Sequence, residues 1–467
     1  MRPTPISEIA RVAGGQLPPF ERGWRGAPGV CLSAPSGAPV TSVAIDSRVV
    51  QPGCLFAAIK GQHADGHDFI GSAFARGAAC ALAAHIPEGT ATADGTGPVI
   101  LVPDVEAALR ALAAWYRSTL SIPVIGVTGS VGKTTTKEMI ASVLGARFSV
   151  HKTPGNYNNE LGVPLTIFGV EPWHEAAVVE MGISHFGEMA RLTELVRPDI
   201  AVFTVIGDAH LENLGSREGV LKAKSEILLG MTEKGLVVLN GDDPLLSALD
   251  CAQRKLLYGL GAHCAVRAEQ ALSLGETGAR CDIVRGGRRL QVQIPGFGQH
   301  MVYTALAGAA VGFELGLSDA EITGGIAAYA AVGHRARVKD TGFLTLYDDC
   351  YNANPTAMEN ALRSLMDLPG RHVAILGNML ELGETAPALH AKIGALAREL
   401  GVGLLLCTGE LSRYTASAAG DIARHFETKA ALMEALPALL NPGDAVLVKA
   451  SRGMRFEEIA ERIERLA

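Results

Sequence analysis

The run Val124-Ile-Gly-Val-Thr-Gly-Ser-Val-Gly-Lys-Thr-Thr-Thr136 puts an apolar stretch, a turn of small residues and a Lys-Thr pair in an order suited to binding phosphate. Backbone N–H groups in such a turn cradle phosphate oxygens, and the helix that the turn opens adds partial positive charge. Lys133 would reach the terminal phosphates, and the Thr134 hydroxyl would ligate Mg2+. Nucleotide contacts are therefore expected from Val127, Thr128, Gly129, Ser130, Val131, Gly132, Lys133, Thr134 and Thr135. A strict phosphate-loop pattern wants Gly at position 127, where this chain has Val127, so Gly129 must supply the flexibility. An ordinary strand–turn–helix containing Gly-Lys-Thr by chance is the bland alternative. The well-formed strand before the turn and helix after it favour the phosphate reading. Alone, the motif says only "nucleoside triphosphate".

Its partners decide the chemistry. Downstream come Asn156-Tyr-Asn-Asn-Glu-Leu-Gly-Val-Pro164, Glu180-Met-Gly182, Ala209-His-Leu-Glu212, Ala223-Lys-Ser-Glu226 and Leu239-Asn-Gly-Asp-Asp-Pro244. Taken singly, Glu180 reads as a surface carboxylate, His210 as a loop histidine and Lys224 as a solvated helix lysine. Taken together, Glu180 and His210 both follow expected parallel strands, on the sheet edge where open α/β folds bind ligands and where the phosphate loop also lies. A carboxylate and an imidazole converging there suit a divalent metal facing the phosphates.

The elements that must position these groups follow from pattern. A chain of 467 residues suggests two or three domains, and 48% apolar with 19% charged residues suits well-buried globular domains. Residues 1–120 mix short β-like runs (Val40–Ile45, Cys54–Ile59) with turns, and end in a helix over Val105–Leu120; Glu88–Pro98 reads as an exposed loop. Residues 121–333 alternate strand and helix. Strands are expected at Val124–Val127, Ala176–Glu180, Ile200–Val205 and Leu236–Leu239, with helices at Lys133–Leu144 and Glu188–Val196. Continuous apolar runs of this kind indicate buried parallel strands of a doubly wound sheet. Alternation through Arg280–Ile294 around Gly286-Gly287 reads as a β-hairpin. Residues 334–467 repeat the α/β rhythm, with strands at Leu344–Tyr347, Val373–Leu376, Leu404–Cys407 and Ala445–Val448.

The bulk numbers exclude several classes. A net charge of −7 gives no counterion-release advantage on a polyphosphate, so no nucleic-acid partner is expected. The basic run Arg285-Gly-Gly-Arg-Arg289 reads as a solvated turn. Eight cysteines (Cys31, Cys54, Cys80, Cys251, Cys264, Cys281, Cys350, Cys407) without Cys-x-x-Cys spacing fit neither a zinc knuckle nor a disulfide framework. MRPTPISEIA lacks the apolar core of a signal peptide, and no run of about 18 apolar residues suggests a membrane span. A reduced, monomeric, cytoplasmic protein is expected.

Further segments carry a resemblance: Asp46-Ser-Arg48, Pro52-Gly-Cys-Leu-Phe56, Asp65-Gly-His-Asp-Phe-Ile70, Asp348-Asp-Cys-Tyr-Asn-Ala-Asn-Pro355, Leu376-Gly-Asn-Met-Leu-Glu-Leu-Gly383 and Val448-Lys-Ala-Ser-Arg-Gly-Met454. With them, essentially the whole chain resembles the Mur ligases, the amide-bond formers of peptidoglycan precursor synthesis. The resemblance is greatest to the member that adds D-alanyl-D-alanine to UDP-N-acetylmuramoyl-tripeptide. It implies an α/β protein of three domains: a small N-terminal substrate domain, a central P-loop ATPase domain with a parallel sheet, and a C-terminal Rossmann-like domain. ATP and two Mg2+ ions would be used, with Thr134, Glu180, His210 and Lys224 as metal ligands. Lys224, in its Ala-Lys-x-x-Ile setting, matches a lysine often carbamylated in the family. Lys133, His210 and Lys224 would be catalytic; Asn240, Arg335 and Asp349 would help hold the nucleotide. Ser47, Arg48, Asp65, Gly66, His67, Asn158, Asn159, Tyr351, Asn352 and Asn354 would contact the other substrates.

There are departures from the family pattern. Met301 and Thr304 stand where relatives carry two adenine-contacting asparagines after the histidine matching His300; Cys350 replaces a serine and Asn378 an aspartate. The implied chemistry is an acyl phosphate made from a carboxylate and ATP, then attacked by an amine, with hinges near residues 121 and 333. A Mur-type ligase for a different acid or amine, a P-loop switch without acceptor substrate, and a binding-only relative are the alternatives.

Overall fold

The computed structural model describes residues 1–15, 39–61, 63–87 and 97–466. Cys31 and all but the last two residues of the expected Glu88–Pro98 loop lie outside the described residues. By compactness the chain falls into two units: Met1–Val124 with Ser149–Val179 and Arg191–Pro198, and Ile125–Phe148 with Glu180–Ala190 and Asp199–Ala467.

The first unit contains a four-stranded parallel sheet in the order β1 (Ser42–Ala44), β2 (Cys54–Ala57), β3 (Cys80–Ala83), β4 (Val99–Leu101). Cys54–Ala57 and Cys80–Ala83 are buried at every position, as continuous apolar runs require. The expected helix spans Val105–Ser118, begun by Asp104, whose carboxylate accepts the Ala107 N–H. Arg117 at its end donates to the carbonyls of Val196 and Arg197.

In the second unit, β5 (Val124–Thr128) pairs in parallel with β8 (Ile200–Phe203), and β8 with β9 (Leu236–Asn240). Strands β6 (Val150–Lys152) and β7 (Ala176–Glu180), which apart from Glu180 belong to the first unit, form a parallel pair. Parallel pairing continues from β9 through β10 (Arg254–Gly259) to β11 (Val266–Ser273). It then turns antiparallel at β12 (Ala279–Arg285) and β13 (Arg288–Ile294). That hairpin turns on Gly286 and Gly287, both at positive φ, and its arginines are ion-paired to Glu314, Asp319 and Asp282 rather than merely solvated.

The C-terminal sheet runs β14 (Arg337–Asp340), β15 (Thr345–Asp348), β19 (Ala445–Lys449), β16 (His372–Leu376), β17 (Leu404–Thr408), β18 (Ala423–Phe426), parallel except at β14. Both faces are covered. Tyr347, Ala374, Leu405 and Leu447 pack with Leu362 and Ile393; Leu346, Val373, Leu406 and Val446 pack with Leu436 and Ile459. Side chains alternate between two helical layers because successive strand residues point to opposite faces.

Candidate active site

Strand β5 ends in a turn that only glycine can make. Gly129 has φ +146°, and a Cβ there would meet Thr204 Oγ1 at 1.9 Å; Gly132, at φ +81°, precedes the helix Lys133–Gly145. The turn is braced from the segment after β8. Ser130 N–H donates to the Val205 carbonyl at 2.8 Å, the Thr204 hydroxyl donates to the Val131 carbonyl at 2.6 Å, and Gly207 N–H donates to Ser130 Oγ at 3.0 Å. Val127 is a buried strand residue whose carbonyl accepts the Met181 N–H. Gly at this position is therefore not needed for the turn.

Around this loop, ionisable groups gather in little water. Thr134 donates its hydroxyl to Glu180 Oε2 at 2.8 Å. Glu180, the last residue of β7, is 1% exposed. Lys133 Nζ rests on the Gly129 carbonyl at 2.8 Å, and desolvation holds its pKa below the usual lysine value, with Glu180 opposing. Lys137, one turn further on, is wholly buried, with Nζ 3.2 Å from Glu138 Oε1 and 3.7 Å from Glu180 Oε2. This lysine had no role in the sequence reading, because position i+4 from Lys133 could equally face solvent.

Lys224 is far from the solvated helix lysine of the bland reading. It is fully buried near the end of the helix Arg217–Ser225, and its Nζ has no hydrogen-bond partner. Burial, and then the charge of Lys133, push its pKa well down, against Glu188. His210 sits in the left-handed region at φ +55°, seven residues beyond β8, and caps the short helix Leu211–Leu214. Its Nδ1 is hydrogen-bonded to Glu381 Oε2. Such a bond to a carboxylate fixes the ring and leaves Nε2 as the basic nitrogen.

Asn240 spans the end of β9: its Nδ2 donates to the Thr204 carbonyl at 3.0 Å and its Oδ1 accepts the Asp242 N–H at 3.1 Å. Asp349 Oδ1 accepts the Ala336 N–H, and Oδ2 is ion-paired with Lys449, whose ammonium also donates to the Asn352 carbonyl. Arg335 lies over the Tyr351 ring at 3.8 Å, with Arg452 at 5.3 Å. Asn354 is engaged as a helix cap, accepting from Ala357 N–H, and Asn352 Oδ1 accepts from Ala353 and Arg452 N–H. Lys449 is another residue without a role in the sequence reading; only the fold brings it to Asp349, 100 positions away. Met301 and Thr304 are buried in the helix His300–Glu314, and the Thr304 hydroxyl is spent on the Met301 carbonyl.

In the first unit, Arg48 and Asp46 form a bidentate, solvent-exposed pair beside Ser47, and this pair lowers the Asp46 pKa to about 2. Asp65 caps the turn that holds Gly66 and accepts from His67, whose other ring nitrogen accepts the Ala84 N–H. Asn159 Oδ1 accepts the Gly162 N–H, and Asn158 N–H donates to the Asn156 carbonyl.

A braced glycine turn opening a helix on a parallel sheet, with a buried carboxylate on its threonine, defines an α/β protein of the phosphate-loop class. Family models locate it further. The Mur ligase family catalytic domain matches residues 39–117, the Mur ligase middle domain 127–312, and the Mur ligase glutamate ligase domain 334–452. UDP-N-acetylmuramoyl-tripeptide--D-alanyl-D-alanine ligase of Bacillus subtilis is 38% identical over 434 residues, covering 90% of this chain and 93% of that protein. A MurF crystal structure from Acinetobacter baumannii superposes with a TM-score of 0.87 at 27% identity, covering 100% of this chain and 99% of the other. MurF ligase from Thermotoga maritima in complex with ADP gives 0.80 at 29% identity, covering 91% and 98%. The chain belongs to the Mur ligase family, and is an ATP-dependent ligase. Among the described residues no helix is long and apolar enough to cross a membrane.

Proposed function

We propose that the chain joins D-alanyl-D-alanine to the terminal carboxylate of UDP-N-acetylmuramoyl-tripeptide, as a cytoplasmic monomer acting in three domains, 1–120, 121–333 and 334–467. Its relatives of Bacillus subtilis and Escherichia coli, UDP-N-acetylmuramoyl-tripeptide--D-alanyl-D-alanine ligases, support the substrates. The observation that carries the mechanism is the buried Thr134–Glu180–Lys137 constellation next to a phosphate loop. The tripeptide carboxylate attacks the γ-phosphorus of ATP, ADP leaves, and an acyl phosphate forms. The dipeptide amine, having lost a proton, attacks the acyl carbon; the C–O bond to phosphate breaks and inorganic phosphate leaves. Two anions meet in the first step, so positioned positive charge is the chief requirement. Lys133 supplies it, and the phosphates favour its charged form against the desolvation it otherwise suffers.

Thr134 and Glu180 offer hard oxygen donors, and His210 Nε2 a nitrogen, for Mg2+. Bound Mg2+ would neutralise phosphate charge. Lys224 fits the same site only if modified. A buried Nζ without a hydrogen-bond partner, whose charged form desolvation disfavours, is suited to react as the free amine, adding CO2 and releasing a proton to give an anionic carbamate oxygen donor. Arg335, Asp349 and Asn240 are assigned to the nucleotide. Ser47, Arg48, Asp65, Gly66 and His67 are assigned to the UDP-sugar end. Asn158, Asn159, Tyr351, Asn352 and Asn354 are assigned to the remaining substrate contacts. Mass spectrometry of the product formed from ATP, UDP-N-acetylmuramoyl-tripeptide and D-alanyl-D-alanine tests the reading. A product heavier than the tripeptide substrate by one dipeptide less water is expected; phosphate release without that product, or with another amine preferred, overturns it.

A further inference from the structure

Three clusters among the described residues bring imidazole, carboxylate or thiol donors within 4.8 Å of one another. Two are already satisfied. Both ring nitrogens of His67 are taken, by Asp65 and by the Ala84 N–H. The Asp242 carboxylate beside His263 and Cys264 already accepts from Leu260 N–H, Gly261 N–H and the Tyr303 hydroxyl. The third cluster differs. It is held together by its own members: His334 Nδ1 is bonded to Asp348 Oδ2, and Asp348 also accepts from the Cys350 N–H at 3.3 Å and from the Cys350 thiol. Asp348 and Cys350 are buried, while the His334 side chain is 43% exposed, so the imidazole is the solvent-facing wall of the cluster.

One imidazole, one carboxylate and one thiol suit a borderline-soft divalent cation such as Zn2+, and not Mg2+, which prefers oxygen donors. We propose that His334, Asp348 and Cys350 form a binding site for a thiophilic divalent cation, with no ligand in common with the metal-binding residues assigned beside the phosphate loop. The proposal does not depend on the substrates assigned above. On binding, the Cys350 thiol proton leaves to solvent and sulfur donates as thiolate. The His334 proton shifts from Nδ1 to the solvent-facing Nε2, freeing the Nδ1 lone pair. Thiolate and carboxylate then balance the two positive charges of the ion. Without an ion the thiol stays protonated, because burial and the neighbouring charges of Asp348 and Glu457 raise its pKa; a bound cation inverts that preference. Glu457 Oε2 is itself buried without a hydrogen-bond partner, while Oε1 faces Arg452 at 3.5 Å. The ion would tie residue 334 to 348 and 350, fixing the backbone that carries Arg335 over Tyr351.

Cobalt(II) titration of the full chain, with Mg2+ in excess to occupy oxygen sites, tests this. The expected result is a near-ultraviolet thiolate-to-cobalt absorption with strong visible bands, saturating as a single site and reversed by Zn2+. Cys350→Ser, and Cys350→Ala as a second variant, should lose the near-ultraviolet band. His334→Ala should weaken Co2+ binding by more than about tenfold, the scale known for loss of even an outer-sphere partner. Cys264→Ser should leave the titration unchanged. Absence of the thiolate band in the wild type, its persistence in both Cys350 variants, or its loss in Cys264→Ser would each overturn the site.

Discussion

Beside the phosphate loop of the second unit, Lys137, Glu138 and Glu180 are all at least nine-tenths buried, and Lys224 is fully buried with no hydrogen-bond partner at Nζ. In the Asp46–Arg48 turn of the first unit, the charges are exposed and already paired with each other. In the first arrangement Lys137, Glu138 and Glu180 are buried and paired with one another, so it is sensitive to the loss of any member, and the Lys224 amine is left for a modification to complete. The second is satisfied in advance. Binding of the UDP-linked substrate as proposed there would exchange one partner for another, with a small net gain. In the proposed assignment, chemistry and recognition are separated by burial as well as by position in the chain.

The largest expected effect comes from Lys133. Lys133→Ala should lower turnover on the order of a hundredfold or more, the scale of one preorganised electrostatic group, with an unchanged melting curve as control. Near-normal phosphate release would remove the buried side of the comparison. Lys224→Ala should also lose most activity, and regain part of it when a small carboxylate such as acetate fills the space left beside the phosphate loop. Full activity of that variant in bicarbonate-free buffer would mean that the orphaned amine is only a packing group.

Much of this was legible in the sequence, and what was not has a common cause. Strands such as Ala176–Glu180 and Leu236–Asn240 were visible as glycine-bounded apolar runs, because a strand buried on both faces has no polar side to show. Lys133 and Thr134 were visible because the phosphate turn fixes their spacing. Lys137, Glu381 and Lys449 were not, because their roles depend on contacts that local pattern does not encode: Glu381 meets His210 across 171 positions. The burial of Lys224 was hidden too, since a lysine on a short helix ordinarily lies in water. Cys350 has no cysteine near it in the sequence, and the proposed cation site, with one cysteine, leaves no Cys-x-x-Cys signature to read.

The first unit also contains a half-buried histidine with a shifted pKa, which sharpens the comparison. His151, bonded to the Thr166 carbonyl at 2.8 Å, has its pKa lowered to about 4, chiefly by desolvation, with the neighbouring His174 adding to the effect. An unfolded histidine titrates near 6.5. Between those values the unfolded chain binds more protons, so this contribution is fully present above pH 6.5 and is lost as pH falls toward 4. At pH 5 the loss is about 2 kcal/mol. Denaturant unfolding at pH 7 and pH 5 should show that drop in the wild type and a smaller one in His151→Gln. Equal drops in both would place the acid sensitivity elsewhere.

The smallest effect tests the exposed side directly. Arg48 is 84% exposed at its side chain and already holds Asp46. Removing it costs one solvent-screened charged contact, which is weak. Arg48→Ala should therefore raise the KM for the UDP-linked substrate by about fivefold, with kcat and the KM for ATP nearly unchanged, as expected when uniform binding is lost at one site. Stability should hardly move, because the side chain buries little. Its loss also frees Asp46, whose pKa should rise from about 2 toward the usual carboxylate range. A hundredfold loss of kcat in Arg48→Ala would mean that the exposed pair takes part in the chemical step itself. The contrast between a buried catalytic constellation and a satisfied recognition surface would then no longer hold.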